Sequence, residues 1–142
     1  MSETQRTLVL LKPDAVARHL IGEIVSRYER RGLVVKAMEL RTIDAEMAAK
    51  HYAEHVGRDY YPGLEKFITS GPLVAMVLEG RMAISVVRAM NGRTDCAQAD
   101  PGTIRGDFGC DNRCNLVHAS DAEDSARREI GLWFPSLGAE QD

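Results

Sequence analysis

The sequence predicts an α+β fold with a core of the order β-α-β-β-α-β and a four-stranded antiparallel sheet. Three apolar runs of strand length, at 7–12, 33–41 and 72–80, alternate with segments whose apolar residues recur at helical spacing. A fourth, short run ("NLVH", 115–118) precedes the last helical segment. This order of elements predicts a ferredoxin-like sandwich, with helices packed on one face of the sheet.

The size and charge of the chain restrict its class. Its 142 residues, 44% hydrophobic and 27% charged, suit one globular domain with a hydrophobic core. A net charge of −3 gives no broad basic surface, so we expect no nucleic-acid partner and no membrane partner. We find no secretory leader and no apolar run of membrane-spanning length, and three cysteines are typical of a reducing compartment, so we expect a cytoplasmic protein.

The first three elements form a strand, a helix and a strand. The run "TLVLLK" (7–12) is a buried strand that Pro13 ends. Residues 19–32 have an amphipathic helical pattern that ends at Gly32. The run "LVVKAMELR" (33–41) follows as the second strand.

Two helices are inserted between the middle strands, at about 44–69. Asp44 is a suitable N-cap, and the apolar stripe behind it extends to Val56. The stretch "YYPGLEKFIT" predicts a second, short helix that ends near Ser70. The run at 72–80 is then a central strand, and residues 81–92 and 121–133 are helices.

About two dozen residues between Met90 and Asn115 have no clear periodicity. Loops of this length in a compact domain are usually functional or disordered, and Ile104 and Phe108 favour an anchored, functional loop. Its cationic and hydroxyl side chains are suited to binding an anion: Arg93, Thr94, Arg105 and Arg113.

His118 is the candidate for chemistry. Ser120 followed by Glu123 matches a capping box, which predicts a helix beginning near Asp121, directly after the histidine. A helix N-terminus favours negative charge such as phosphate. On a helical wheel Glu129 faces the protein, where a carboxylate needs a partner. That partner could be His118 or an arginine, and a core histidine remains an alternative for His118.

The residues around this histidine resemble a known family. The stretches "TLVLLKPDAV", "FITSGPLVAMVLEG", "PGTIRGDF" and "NLVHASDAEDSARREIGLWF" are similar, in order and spacing, to those of nucleoside diphosphate kinases. The similarity runs from about Arg6 to Phe134. It implies that 1–142 is a single nucleoside diphosphate kinase domain with a core at about 6–134 and a short C-terminal tail at 135–142.

The resemblance implies a ping-pong reaction with ATP as donor and a broad range of nucleoside diphosphates as acceptors. His118 would be phosphorylated, Glu129 would accept a hydrogen bond from its other ring nitrogen, and Ser120 would support them. Lys12 would reach the phosphates. Tyr52 would border the site, although core packing explains it equally well.

The resemblance also implies a nucleotide site. The phosphates and sugar would be bound by Lys12, Arg88, Thr94, Arg105 and Asn115. The base would stack on Tyr60 beside Leu64, which predicts little selection among bases. Mg²⁺ would be held mainly by phosphate oxygens, with Asp121 touching it at most through water and with no cage of protein ligands.

The resemblance also implies self-association. Family members are hexamers or tetramers built from dimers, and we expect a hexamer.

Three residues depart from the family pattern. Asn112 faces the expected base pocket, Cys96 lies in a loop that supports subunit contacts, and Ala119 stands where glycine is usual. If position 119 requires a positive φ, alanine is strained there by roughly 1 kcal/mol or more. An alternative is an impaired family member that acts by binding nucleotides or proteins.

Overall fold

A computed structural model describes residues 4–111 and 114–139. Its strands are β1 (Thr4–Leu11), β2 (Val34–Arg41), β3 (Leu73–Arg81) and β4 (Val117–Ala119). Its helices are α1 (Pro13–Ala17), α2 (Ile21–Arg30), α3 (Ala45–His51), α4 (Tyr61–Ile68), α5 (Ala83–Asn91), α6 (Ile104–Phe108), α7 (Glu123–Trp133) and α8 (Pro135–Ala139). None of these helices is long and apolar enough to cross a membrane.

The four strands form one antiparallel sheet in the order β2-β3-β1-β4. β1 pairs with β3 over its whole length, and β3 is an interior strand as its apolar run predicts. On β4, His118 lies opposite Leu10 of β1. The α+β, ferredoxin-like fold is therefore confirmed.

Helices cover both faces of the sheet. On β1, Val9 and Leu11 pack with α2 and α5, the two helices of the β-α-β-β-α-β core. Leu8 and Leu10 point to the other face and pack with the inserted helices and α7. The prediction that helices pack on one face of the sheet holds for the two helices of the core motif, and the inserted helices and α7 cover the other face. Because both faces of β1 and β3 are apolar, the second face needs its own helical layer.

The inserted segment begins as predicted but its first helix ends early. The carboxylate of Asp44 accepts a hydrogen bond from the backbone N–H of Met47 at 2.9 Å, so the predicted N-cap is confirmed. Helix α3 stops at His51, and Val56 is exposed rather than part of an apolar stripe. α1, a short helix beginning at Pro13, was absent from the prediction.

The loop between α5 and β4 is anchored at the residues that the sequence indicated. Ile104 is completely buried, and Phe108 packs against the same core. Both belong to α6, whose first turn is capped by the Thr103 hydroxyl, an acceptor for the Gly106 N–H at 3.0 Å. α6 thus carries Arg105 beside β4, where its guanidinium donates to the Val117 carbonyl.

Candidate active site

A cleft of about 1080 Å³ opens beside β4 and the first turn of α7. This volume is at the upper end of the range for small-molecule sites. Most of the residues that the sequence indicated line it: Lys12, Tyr52, Arg88, Thr94, Arg105, Asn115, His118, Asp121 and Glu129. The structure therefore brings together residues from six different parts of the chain.

His118 and Glu129 form the centre of the cleft. The Nε2 atom of His118 lies 2.9 Å from Oε1 of Glu129, which is only 5% exposed. The hydroxyl of Ser120 donates to the same carboxylate at 2.8 Å and accepts from the backbone N–H of Leu8. These hydrogen bonds offset the cost of burying the carboxylate. Arg128 is a more distant partner, at 3.8 Å from Oε2.

The hydrogen bond to Glu129 fixes the tautomer of His118. A carboxylate only accepts hydrogen bonds, so Nε2 of His118 must carry the proton. Nδ1 then keeps its lone pair, and it is the ring nitrogen suited to nucleophilic attack.

The predicted capping box is wrong. α7 begins at Glu123, and Ser120 is not its cap because its hydroxyl is engaged with Glu129. The Ser125 hydroxyl instead accepts the N–H of Ala122 at 3.0 Å and donates to Asp121 at 2.5 Å. This hydrogen bond lowers the pKa of Asp121.

Backbone strain lies at Leu116 rather than at Ala119. Ala119 is in β4 and its φ is not positive, so alanine there costs nothing in backbone strain. Leu116 has φ 75°, and the Val117 N–H donates to the Asn115 carbonyl at 2.8 Å, which closes a γ-turn. Such strain persists only where the surroundings hold it in place, and it is common at active sites.

Two residues near the end of β1 hold this turn. The Lys12 N–H donates to the Leu116 carbonyl at 2.8 Å, and the Leu116 N–H donates to Oδ2 of Asp14 at 3.1 Å. Asp14 had no predicted role, although it lies in the stretch "TLVLLKPDAV" that carries the family resemblance. Its carboxylate fixes the turn that separates Asn115 from His118.

Lys12 and Asn115 form a buried pair at the floor of the cleft. Lys12 is 8% exposed, and its Nζ donates to Oδ1 of Asn115 at 2.9 Å. Burial, with a smaller effect of the Arg105 charge, lowers the pKa of Lys12 to about 8. The Asn115 amide donates in turn to the Thr94 carbonyl at 3.2 Å.

Arg105 is held by backbone carbonyls. Its guanidinium donates to the carbonyls of Gly92 at 2.8 Å, Asn115 at 3.2 Å and Val117 at 2.5 Å. Within residues 4–111 and 114–139, no carboxylate forms an ion pair with Arg105 or Lys12. Carbonyls orient a cation without neutralising it, so both positive charges remain available to an anion. Arg88 and Thr94 are exposed at the rim of the cleft.

Tyr52 and His51 also line the cleft, and His51 contacts Trp133 of α7. Tyr52 is buried just after α3, and its hydroxyl has no hydrogen-bond partner in the described part of the chain. Burial raises the pKa of this hydroxyl, which stays a donor. His51, which had no predicted role, is in edge-to-face contact with the His118 ring, 4.7 Å between centroids.

Tyr60 and Leu64, the residues expected to contact the base, lie outside the lining of the cleft around His118. Tyr60 is 49% exposed, and its hydroxyl contacts Nδ1 of His55, a residue that does line the cleft. Leu64 packs against the core. Asn112 lies outside the described residues.

Comparison with known proteins decides the family. The family model for nucleoside diphosphate kinase matches residues 5–138. The chain belongs to the nucleoside diphosphate kinase family. A nucleoside diphosphate kinase of Cutibacterium acnes is 75% identical over 137 residues, which cover 96% of this chain and 99% of the relative. A Nocardioides nucleoside diphosphate kinase is 64% identical over 93% of this chain and 98% of its own length.

Solved nucleoside diphosphate kinases have the same fold. The halophilic enzyme of Halobacterium salinarum, in complex with CDP, superposes with a TM-score of 0.89 at 51% identity, covering 92% of this chain and 87% of that one. The Aquifex aeolicus enzyme gives a TM-score of 0.92 at 39% identity, covering 95% and 98%. The function is accordingly that of a nucleotide-dependent phosphotransferase.

The nucleoside diphosphate kinase family generally uses a divalent metal, and the cleft fits one that the nucleotide carries. Among the described residues, His51, His118 and Glu129 are close enough to share an ion. These side chains are instead committed to hydrogen bonds: Nδ1 of His51 accepts from Trp133, and Glu129 is bonded to His118. The exposed carboxylate of Asp121 also lines the cleft.

Proposed function

We propose that this chain transfers the γ-phosphate of a nucleoside triphosphate to a nucleoside diphosphate through a phosphohistidine at Nδ1 of His118. The observation that carries the proposal is the buried Glu129 carboxylate, which binds Nε2 and leaves the Nδ1 lone pair for attack. The Nδ1–phosphorus bond forms as the bond from phosphorus to the β–γ bridging oxygen breaks, and the diphosphate leaves. Glu129 stabilises the positive charge that develops on the ring.

The cations of the cleft stabilise the charge of the transferred group. Neither Lys12 nor Arg105 forms an ion pair with a carboxylate of the described residues, and Arg88 and Thr94 line the same cleft. Phosphoryl transfer depends mainly on alignment and such charge stabilisation. Tyr52 has a buried, unpartnered hydroxyl that a phosphate or sugar oxygen would satisfy. Asn115 binds the sugar hydroxyl.

One site serves both half-reactions. After the first diphosphate leaves, an acceptor diphosphate occupies the same cleft, and its terminal oxygen attacks the phosphorus on His118. The bond to Nδ1 breaks, which returns the lone pair to the ring. Covalent catalysis thus replaces a reaction of two bound nucleotides by two similar transfers.

Mg²⁺ is the divalent ion that we propose. It would reach the cleft on the phosphate oxygens and neutralise part of their charge, as it prefers few protein ligands and several waters. Asp121, whose pKa is lowered by the Ser125 hydroxyl, would contact this ion through water.

The range of accepted nucleoside diphosphates depends on how the base is bound. A base would stack on Tyr60 beside Leu64, and stacking distinguishes poorly between bases. The halobacterial relative was solved with CDP, a pyrimidine nucleotide. We therefore propose a broad range of nucleoside diphosphates as acceptors and ATP as the usual donor.

Self-association is proposed for the open edge of the sheet. β2 is an edge strand, and the apolar side chains of Val34, Met38 and Leu40 are exposed along it. Exposed apolar edge strands usually pair with another chain. We infer a dimer through this edge, and a hexamer built from such dimers.

The proposal also covers the domain organisation and the cellular location of the chain. The family match over 5–138 supports a single nucleoside diphosphate kinase domain. Cys96, Cys110 and Cys114 form no disulfide, which supports a reducing, cytoplasmic location.

The direct test is incubation with γ-labelled ATP in the absence of acceptor. We expect one label per chain that is acid-labile and base-stable, absent from His118→Ala, and discharged by GDP. His19→Asn is the matched control, since His19 is exposed and asparagine tolerates its φ of 62°. Label that persists in His118→Ala would contradict the proposal. An impaired, nucleotide-binding family member would bind ATP and carry no label.

A further inference from the structure

His51 is the residue of the cleft wall to which the proposed reaction gives no role. It is the last residue of α3 and is only 4% exposed. Its Nδ1 lies 3.0 Å from Nε1 of Trp133. An indole N–H can only donate a hydrogen bond, so Nδ1 of His51 must be the acceptor. The ring then carries its proton on Nε2 and is neutral, because a second proton would set two N–H groups against each other.

The same ring is in contact with His118. The two imidazoles meet edge to face, with centroids 4.7 Å apart and planes at 80°. On its other side His51 meets the Trp133 ring at 5.5 Å and 82°. A ring nitrogen of His51 is also within 4.8 Å of a ring nitrogen of His118 and a Glu129 oxygen. His51 thus connects a buried indole to the proposed nucleophile.

The charges around His51 oppose a second proton. Lys12 approaches from the end of β1, Arg128 from α7, His118 from β4 and His55 from the segment after α3. The carboxylate of Glu129 is already bonded to His118 and Ser120. Burial first, and then these groups, lower the pKa of His51 well below its usual value.

We propose that His51 is a positioning residue for His118 and that Trp133 holds it in the neutral form with the proton on Nε2. The inference rests on the proposed phosphohistidine mechanism. The edge-to-face contact keeps the His118 ring in the plane in which Nε2 meets Glu129. A neutral His51 also keeps a positive charge away from His118, where it would reduce the basicity of Nδ1 and its nucleophilicity.

The tautomer is measured on the wild-type protein. Nitrogen NMR of the histidine side chains distinguishes the two neutral tautomers and the charged ring. We expect His51 to show a proton on Nε2 and to stay neutral at pH values where an unperturbed histidine is already charged. A proton on Nδ1, or a titration near the ordinary value of about 6.5, would overturn the inference.

The consequence is measured in the Trp133→Phe variant, which keeps the aromatic packing and loses the N–H donor. Removal of the donor leaves Nδ1 of His51 able to accept a proton, while burial and the neighbouring cations remain, so the pKa of His51 should rise from its wild-type value. We expect the rate of phosphorylation by ATP to decline on the acid side of the pH profile at a higher pH in this variant than in the wild-type protein. In the double variant Trp133→Phe/His51→Asn, residue 51 cannot be protonated, so this decline of the rate at acid pH should disappear.

The outcomes separate the two proposals. Absence of label on His118 in the wild-type protein would reject the phosphohistidine mechanism itself. Normal labelling with an unchanged pH profile in a folded Trp133→Phe variant would reject the role of His51 alone. His19→Asn should keep the wild-type profile. If Trp133→Phe does not fold, the tautomer of His51 in the wild-type protein decides the question.

Discussion

Two regions of the proposed nucleotide site are built in different ways. At the end that we propose for the phosphates, Lys12 and Glu129 are buried, and each is held by a hydrogen bond to another residue of the cleft. In the region that we propose for the base, Tyr60 is half exposed, and neither Tyr60 nor Leu64 lines the cleft around His118. The first region is fixed by buried hydrogen bonds, whereas the second presents a partly exposed side chain.

This difference indicates where selectivity and rate come from. Charge stabilisation is effective only when the groups are oriented in advance, so the phosphate end should control the rate of transfer. The base end can contribute only contacts that form on binding, so it should change affinity in the same way for all bases. Substitutions at the two ends should therefore affect different kinetic constants.

The largest effect is expected at Arg105. Its replacement by alanine removes a cation that three carbonyls orient, and we expect kcat/KM to fall by about 100-fold or more. Arg127→Ala is the matched control, because Arg127 is an exposed arginine of α7 that does not line the cleft. Circular dichroism should show both variants folded. A loss below about tenfold in folded Arg105→Ala would argue against electrostatic control by this residue.

A smaller effect is expected at Glu129. In Glu129→Gln a neutral acceptor replaces a charged one, which weakens the hydrogen bond to Nε2 by roughly 1.5 kcal/mol. This corresponds to about a tenfold lower kcat, with KM near the wild-type value. Glu123→Gln, an exposed change on the same helix, should leave both constants unchanged. An unaltered kcat in Glu129→Gln would remove its orienting role.

The pH dependence should come from Lys12. Its pKa is lowered to about 8, so the side chain is charged below that pH and becomes neutral above it. We therefore expect kcat/KM to fall as the pH rises through about 8, approaching tenfold per pH unit. Lys12→Arg stays charged at all accessible pH values and should lack this alkaline limb, even if it is slower. A wild-type profile that is flat to about pH 10 would exclude this role of Lys12.

The smallest effect is expected at Tyr60. Tyr60→Ala should raise KM by about fivefold through the loss of about 1 kcal/mol of stacking, similarly for purine and pyrimidine diphosphates. The kcat value should not change. Tyr60→Phe keeps the ring and loses only the contact with His55, so it should behave as wild type. A change confined to one base would show that the base end discriminates after all.

The sequence predicted features that depend on local patterns. The apolar runs of β1 and β3 indicated interior strands, and the helical wheel placed Glu129 inward, where it is 5% exposed. Asp44 is the helix cap that its position indicated. These predictions succeeded because burial and capping follow from neighbouring residues alone.

Features that depend on distant contacts were missed. Ser120 was assigned to a cap because its own neighbours fit one, but its hydroxyl is used by Glu129 and Leu8. The strained turn at Leu116 depends on Lys12 and Asp14, more than one hundred residues earlier. The hydrogen-bond partner of His51 is Trp133, 82 residues later in the chain. The sequence feature that could have indicated this contact is Trp133, which lies on the same helix face as Glu129. The N–H of a buried indole needs a hydrogen-bond acceptor.

The most direct test of the account is the position of the phosphoryl group on the ring. Because Glu129 binds Nε2 of His118, the phosphate must be attached to Nδ1. Phosphorus and nitrogen NMR of the enzyme, phosphorylated with ATP and freed of nucleotide, distinguishes the two isomers. We expect phosphorylation of His118 at Nδ1. Phosphate on Nε2 would contradict it, because the contact between His118 and Glu129 could not then exist during transfer.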